Sequence, residues 1–288
     1  MSNYPYAPLT CHSVDALGVQ TNYYTMGKRN SLPHGKGESR PIIMLHGMST
    51  SADSFREAMH ELAGDFWLIA PDIPGFGHSE NTEPYTVHHL VEWLAAFQAA
   101  LNLPSMGLVG HSFGGFLATA FALAYPEDVT RLLLSAPALL NGESYPELLK
   151  KVGFSLGLVD LGTAVTQSPA WVKRQIRIPF FDANLQDASV WERRLKDYEL
   201  ARASASVLRA VAFHSIQSQL PTLLHPIQMV WGVNDYVVPA SGAETLLGLF
   251  PNAQAELYPE CGHVLPLERQ AEFQAAIRRF FVDDPDFR

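Results

Sequence analysis

Short apolar runs punctuated by glycine and proline, with helical patterns between them, restrict this chain more than any other feature. Pro41 to Leu45 reads PIIML and Phe66 to Ala70 reads FWLIA; Met106 to Val109, Arg131 to Ser135, Ile227 to Trp231 and Ala255 to Tyr258 are of the same kind. Runs like these, bounded by turn residues, predict buried strands. Gly18 to Tyr24 predicts an alternating strand, with Val19 and then Tyr23 and Tyr24. Thr86 to Leu101 puts Val87, Leu90, Val91, Leu94, Phe97 and Leu101 on one helical face. Phe113 to Tyr125 is rich in alanine and apolar all round, as a helix buried against a sheet should be, and it stops before Pro126. Phe273, Ala276, Ile277, Phe280 and Phe281 form a last helical stripe. Strand–helix–strand alternation implies a parallel sheet covered on both faces.

One stretch breaks the alternation. From about 141 to 220 no strand is convincing, and helical segments such as Tyr145 to Leu161 and Ser189 to Gln217 dominate. This stretch carries ten Lys/Arg and eight Asp/Glu, a balance of +2, in a 288-residue chain of net charge −9. The other 208 residues therefore hold −11, and the stretch reads as a helical insertion. A hydrophobic fraction of 47% supplies a real core and excludes a mostly disordered chain. The acidic balance gives no electrostatic footprint for nucleic acid. No run of 18 apolar residues occurs, so no membrane span is expected, and the first thirty residues lack the apolar stretch of a secretory signal. The expectation is a soluble, cytoplasmic protein. Two cysteines, Cys11 and Cys261, make neither a disulfide framework nor a metal motif, and no metal or cofactor is implied.

The strongest chemical signal is Gly110-His111-Ser112-Phe113-Gly114-Gly115, between a predicted strand and a predicted helix. A G-x-S-x-G pattern in that context is a nucleophile elbow. The serine must sit on a sharp, strained turn, so Gly110 and Gly114 supply room. The turn brings the hydroxyl to a helix N-terminus, whose dipole favours developing negative charge.

A hydroxyl needs a base, and the base needs an orienting acid. Of eleven histidines, His88 and His89 lie on an amphipathic helix, His12, His34, His60 and His214 show no local pattern, and His111 reads as packing of the elbow. His263 stands apart, in Cys261-Gly262-His263-Val264-Leu265-Pro266-Leu267-Glu268, after the last predicted strand and before the last helix. The loop Trp231 to Pro239 offers Asp235 as the acid; Asp72, Glu260 and Asp160 are weaker rivals. The competing reading of Asp235 is a capping carboxylate for a helix beginning near Ala240. Two N–H donors are needed for the oxyanion of a tetrahedral intermediate. Phe113, after the nucleophile, and Met48, at the end of the PIIML run, are the candidates, with Ser49, Thr50 and Ser51 as helix caps.

HGM, PDIPGFGHSE, GHSFGG, GVNDYVVP and CGHVLPLE stand in this order between about residues 14 and 282, and here the chain resembles the α/β-hydrolase fold superfamily. The resemblance implies an α/β-hydrolase fold: a mostly parallel eight-stranded sheet flanked by helices. The core would be 1–140 and 221–288, with 141–220 as a helical cap, or lid, inserted after the sixth core strand. The loop PDIPGFGHSE looks like that of haloalkane dehalogenases and epoxide hydrolases, but those use aspartate at the elbow, where Ser112 stands. Hydrolases of meta-cleavage products share the Ser-His-Asp set, yet typically carry Trp after the histidine, where Val264 stands. Proline iminopeptidases have an HGGPG-type loop, and HGMST occurs here. Carboxylesterases, lactonases and related acyl hydrolases remain.

The expectation is a serine esterase cleaving a carboxylic ester or lactone through an acyl-enzyme on Ser112. The alternative is a C–C bond hydrolase of diketones with the same triad, and a non-enzymatic small-molecule receptor is the third reading. The pocket should lie between core and cap and be mainly apolar. Trp171, Phe180, Phe181, Trp191 and Val264 are its candidate lining residues, with Phe154 and Leu158 beside them. For any one cap aromatic, the cap's own core is the competing assignment. Arg174 and Arg177 are candidates for a substrate carboxylate, against a solvent-facing role. The partner is a small-molecule ester substrate, with room left for a homodimer.

Overall fold

Ile42, Ile43, Met44 and Leu45 have no exposed surface, because both faces of the strand they form are covered. In the computed structural model, which describes residues 5–28, 40–140 and 169–282, this strand is central to an eight-stranded sheet. The strands are β1 (Cys11–Ala16), β2 (Val19–Met26), β3 (Ile42–Leu45), β4 (Leu68–Pro71), β5 (Met106–His111), β6 (Val129–Ser135), β7 (Ile227–Gly232) and β8 (Ala253–Tyr258). Their order is β1-β2-β4-β3-β5-β6-β7-β8. The β1–β2 and β2–β4 pairs are antiparallel and the rest parallel. This is the mostly parallel architecture that the resemblance implied. The sequence pattern does not reveal β1: its exposed CHSVDA lacks the apolar run that marks the inner strands.

The helices of the core are α1 (Arg56–Leu62), α2 (Val87–Ala100) and α3 (Phe113–Ala124). Those of the inserted stretch are α4 (Pro169–Gln175), α5 (Ala188–Glu199) and α6 (Ser204–Ala212), and α7 (Gly242–Leu249), α8 (Leu265–Glu268) and α9 (Gln270–Val282) follow. Alternation along a strand decides which layer a residue joins. Ile43, Leu45, Leu108 and Leu132 pack with α2 and α3, while Ile42, Met44, Val109 and Leu133 pack with α1 and α9. Burying one such aliphatic side chain contributes roughly 1.5–3 kcal/mol. Thr86 starts α2 by accepting from the His89 N–H (3.1 Å).

The chain runs from β3 outward to β4 and returns on the other side of β3 as β5, so the order reverses between these strands. The crevice outside the carboxyl ends at such a reversal is where open α/β sheets bind ligands. Between β6 and β7 lies the insert. Its segment 145–161 falls outside the described residues, as do Phe154 and Leu158. The segment read as Ser189 to Gln217 is α5, α6 and the start of a short 3-10 turn. The buried face of α5 is Val190, Arg194 and Asp197, so charge occupies positions where a pattern reading expects apolar residues. No helix of the described residues is long and apolar enough to cross a membrane.

Candidate active site

Ser112 leaves β5 and begins α3 with φ 52° and ψ −114°. A non-glycine residue held there stores on the order of 1–3 kcal/mol of strain, so its surroundings must hold it. They do so through backbone bonds. The Ser112 N–H donates to Ser135 O (2.8 Å), and its carbonyl accepts from Phe116 and Ala138 N–H (3.1 Å each). A Cβ on Gly110 would lie 2.5 Å from Gly114 O, and one on Gly114 would overlap the Leu45 carbonyl. The two glycines therefore let the turn close against α3 and β3.

Three chain segments converge on the serine. His263, from the loop between β8 and α8, places Nε2 2.9 Å from Ser112 Oγ. Its Nδ1 lies 2.7 Å from Asp235 Oδ2. A carboxylate only accepts, so Nδ1–H donates to Asp235 and Nε2 accepts from the Ser112 hydroxyl. Asp235 follows β7 and is itself fixed. Its Oδ1 accepts from Val237 and Val238 N–H (2.8 Å each), and its Oδ2 from Trp231 Nε1–H (3.2 Å). The helix after it starts at Gly242 with no side-chain cap, so Asp235 caps no helix there. Both His263 and Asp235 are buried.

The His46-Gly47-Met48 loop leaves β3 beside the serine: a Cβ on Gly47 would lie 3.4 Å from Ser112 Cβ. His46 Nε2 accepts from Ile73 N–H (2.9 Å), so the proton sits on Nδ1, which donates to Gly47 O (2.8 Å). Burial lowers the His46 pKa to about 4 and keeps the ring neutral. Ser51 caps the short turn Ala52–Phe55 by accepting from Asp53 N–H. Among the described residues, the Met48 and Phe113 N–H groups have no acceptor.

Beneath His263 lies His111, with ring centroids 4.9 Å apart. Burial first, then the neighbouring His263 ring and the charge of Arg194, push its pKa well below the usual histidine value. Arg194, on α5, has no local signal that marks it as a site residue in the sequence, where it is one charge among many. It is 7% exposed, and among the described residues its Nε and Nη1 have no hydrogen-bond partner. Asp197, one turn on, bonds Ser51 Oγ, and burial raises its pKa to about 6 against the pull of Arg194.

Of the candidate lining residues, Phe180, Trp191 and Val264 share one apolar cluster. Phe180 packs with Val190, Val264 and Leu267, and its ring lies 5.0 Å from Trp191. Arg177 stacks on Trp191 at 4.5 Å. Phe181 is 43% exposed, while its N–H donates to Glu268 (2.7 Å). Trp171 is half-buried on α4.

A family model of the alpha/beta hydrolase fold matches residues 40–270. The 2-hydroxymuconate semialdehyde hydrolase of Pseudomonas sp. (strain CF600) is 29% identical over 291 residues, covering 96% of this chain and 95% of that protein. Monoacylglycerol lipase abhd6-A of Xenopus laevis is 27% identical over 271 residues, covering 88% of this chain and 80% of that protein. Among solved structures, a serine-to-alanine mutant of the meta-cleavage product hydrolase CumD from Pseudomonas fluorescens IP01, complexed with acetates, has a TM-score of 0.76 at 26% identity. That match covers 96% of this chain and 98% of the other.

Proposed function

Because this chain belongs to the α/β-hydrolase fold family, we propose that it is a serine hydrolase cleaving a carboxylic ester or lactone through an acyl-enzyme on Ser112. The observation that carries this reading is the unbroken relay of Ser112, His263 and Asp235 at 2.9 and 2.7 Å. His263 Nε2 takes the hydroxyl proton as Oγ attacks the carbonyl carbon. The Met48 and Phe113 N–H groups receive the oxyanion, and Asp235 stabilises the imidazolium. His263 then returns the proton to the leaving alcohol. Water, activated by the same ring, cleaves the acyl-enzyme. Residues 141–220 act as the cap over a mainly apolar pocket that Trp171, Phe180, Phe181, Trp191 and Val264 help to line. The net charge of −9 favours a soluble enzyme.

A second reading, C–C bond hydrolysis of a diketone acid by the same triad, draws on Arg194. A buried guanidinium with unpartnered N–H groups carries a desolvation cost that an anion relieves. A substrate carboxylate supplies one. The relative at 29% identity bears the name of such a hydrolase. A panel of p-nitrophenyl esters, lactones and vinylogous 1,5-diketones separates the two, with Ser112→Ala as the control. Loss of the nucleophile should cost on the order of 10⁶ in kcat. Retention of most ester turnover by that variant would remove Ser112 from the mechanism. Arg194→Met should spare neutral esters and weaken acid-bearing diketones if the second reading holds.

A further inference from the structure

Glu268 lies outside the relay, yet its carboxylate is bound to the backbone on both sides of the catalytic histidine. Gly262 N–H donates to both of its oxygens (3.1 Å each), and Val264 N–H donates to Oε1 (3.1 Å). From the insert, Phe181 N–H donates to Oε2 at 2.7 Å. The residue between the two loop donors completes the joint, for His263 N–H donates to Pro179 O at 2.7 Å. Residues 262, 263 and 264 are thus each tied to Glu268 or to the segment 179–181. At Gly262 the loop and the 179–181 segment are in close contact: a Cβ there would lie 2.5 Å from Pro179 O and 2.7 Å from Phe181 N. Hydrogen bonds to an ionised acceptor are about twice as strong as neutral ones, so this carboxylate is the firmest link between insert and loop.

We propose that Glu268 is a positioning residue that couples the orientation of His263 to the seating of the 179–181 segment of the insert. The proposal rests on the serine-hydrolase reading. When the segment is seated, the loop is clamped and Nε2 faces Ser112. When it lifts, Glu268 loses one donor, the His263 N–H loses its acceptor, and the base is no longer aimed. Turnover therefore depends on the insert being in place, without the insert supplying a reacting group at this joint.

Two variants of the full chain test this from opposite sides. Glu268→Gln keeps the shape but turns an NH₂ group toward N–H donors. Gly262→Ala leaves the carboxylate and wedges the segment off the loop. Each should lower kcat on a p-nitrophenyl ester by about 10- to 100-fold, the scale of a misplaced catalytic group. In Glu268→Gln, which wedges nothing against Phe180 or Phe181, KM should stay within about twofold. Labelling of Ser112 by a fluorophosphonate should slow in parallel. The double variant should be no slower than about the worse single one, because both act on one joint. Wild-type kcat and labelling in Glu268→Gln, a loss confined to KM, or losses that multiply in the double variant would overturn the coupling. If Glu268→Gln does not fold, Gly262→Ala alone decides, and wild-type kcat in it overturns the proposal. An active Ser112→Ala protein would instead overturn the underlying reading, whatever the joint variants do.

Discussion

At the carboxyl ends of β3 and β7, buried polar side chains draw several of their partners from within a few residues of chain. His46 bonds Gly47, and Asp235 bonds Val237, Val238 and Trp231. On the inward face of α5 the arrangement differs: Arg193 reaches Asp53 and Glu57, and Asp197 reaches Ser51, more than a hundred residues away. Short-range partners make a rigid element whose geometry survives wherever the loop is built. Long-range charged partners make a joint between two parts of the chain, and a joint can be broken by changing one side. In the proposed enzyme, the site therefore combines a fixed relay in the core with a cap held by buried charge.

The core half of the comparison gives the largest expected effect. Asp235→Asn keeps the shape of the loop but removes the acceptor that fixes the Nδ1–H tautomer of His263. By analogy with the serine-protease case, kcat should fall about 10⁴-fold, with little change in the unfolding midpoint; steady-state kinetics beside thermal unfolding read both. A large stability loss with modest kinetic loss would mean that Asp235 is a structural residue.

The joint gives the next. Arg193→Ala strands Glu57, whose side chain is 1% exposed. Removing one partner of a buried pair costs about 3–5 kcal/mol. Urea unfolding should show that loss, and the pair Arg193→Met with Glu57→Leu should recover most of it. A loss under about 1 kcal/mol would class the pair with surface salt bridges.

The smallest effect lies in pH. Burial raises the Asp197 pKa from its ordinary 3.8 to about 6. The native state then holds a proton that the unfolded state releases, so this group's contribution to stability falls as pH rises from about 4 to 6. His46, kept neutral by burial, has the opposite slope, but it is common to both proteins and cancels in a difference. Relative to the wild type, Asp197→Asn should gain stability with rising pH, by up to about 3 kcal/mol between pH 4 and 7. Denaturant midpoints at the two pH values measure it. A pH-independent difference would contradict the raised pKa.

The same contrast explains what the sequence made legible. Ser112 and its glycines are a local pattern with a steric reason, and the strands β3 to β7 are apolar runs that a covered sheet accommodates, whereas the edge strand β8, expected to be buried, is half-exposed. His263 and Asp235 were findable because each follows a strand and precedes a helix. Glu268 stood in the quoted CGHVLPLE motif, but nothing local says that it receives Phe181 N–H from the insert. Arg194 and Asp197 carry no signal of burial in the sequence, because a helical stripe is recognised by apolar residues and theirs is charged. The strand β1 carries no apolar run, and its place comes from pairing with β2.

The central claim is that Ser112 is an activated nucleophile, and the mass of the intact protein after reaction with a fluorophosphonate tests it most directly. The account predicts one adduct per chain, located by peptide mapping on Ser112, absent in Ser112→Ala and formed far more slowly in His263→Ala. An adduct on another residue, or an unchanged labelling rate without His263, would contradict it.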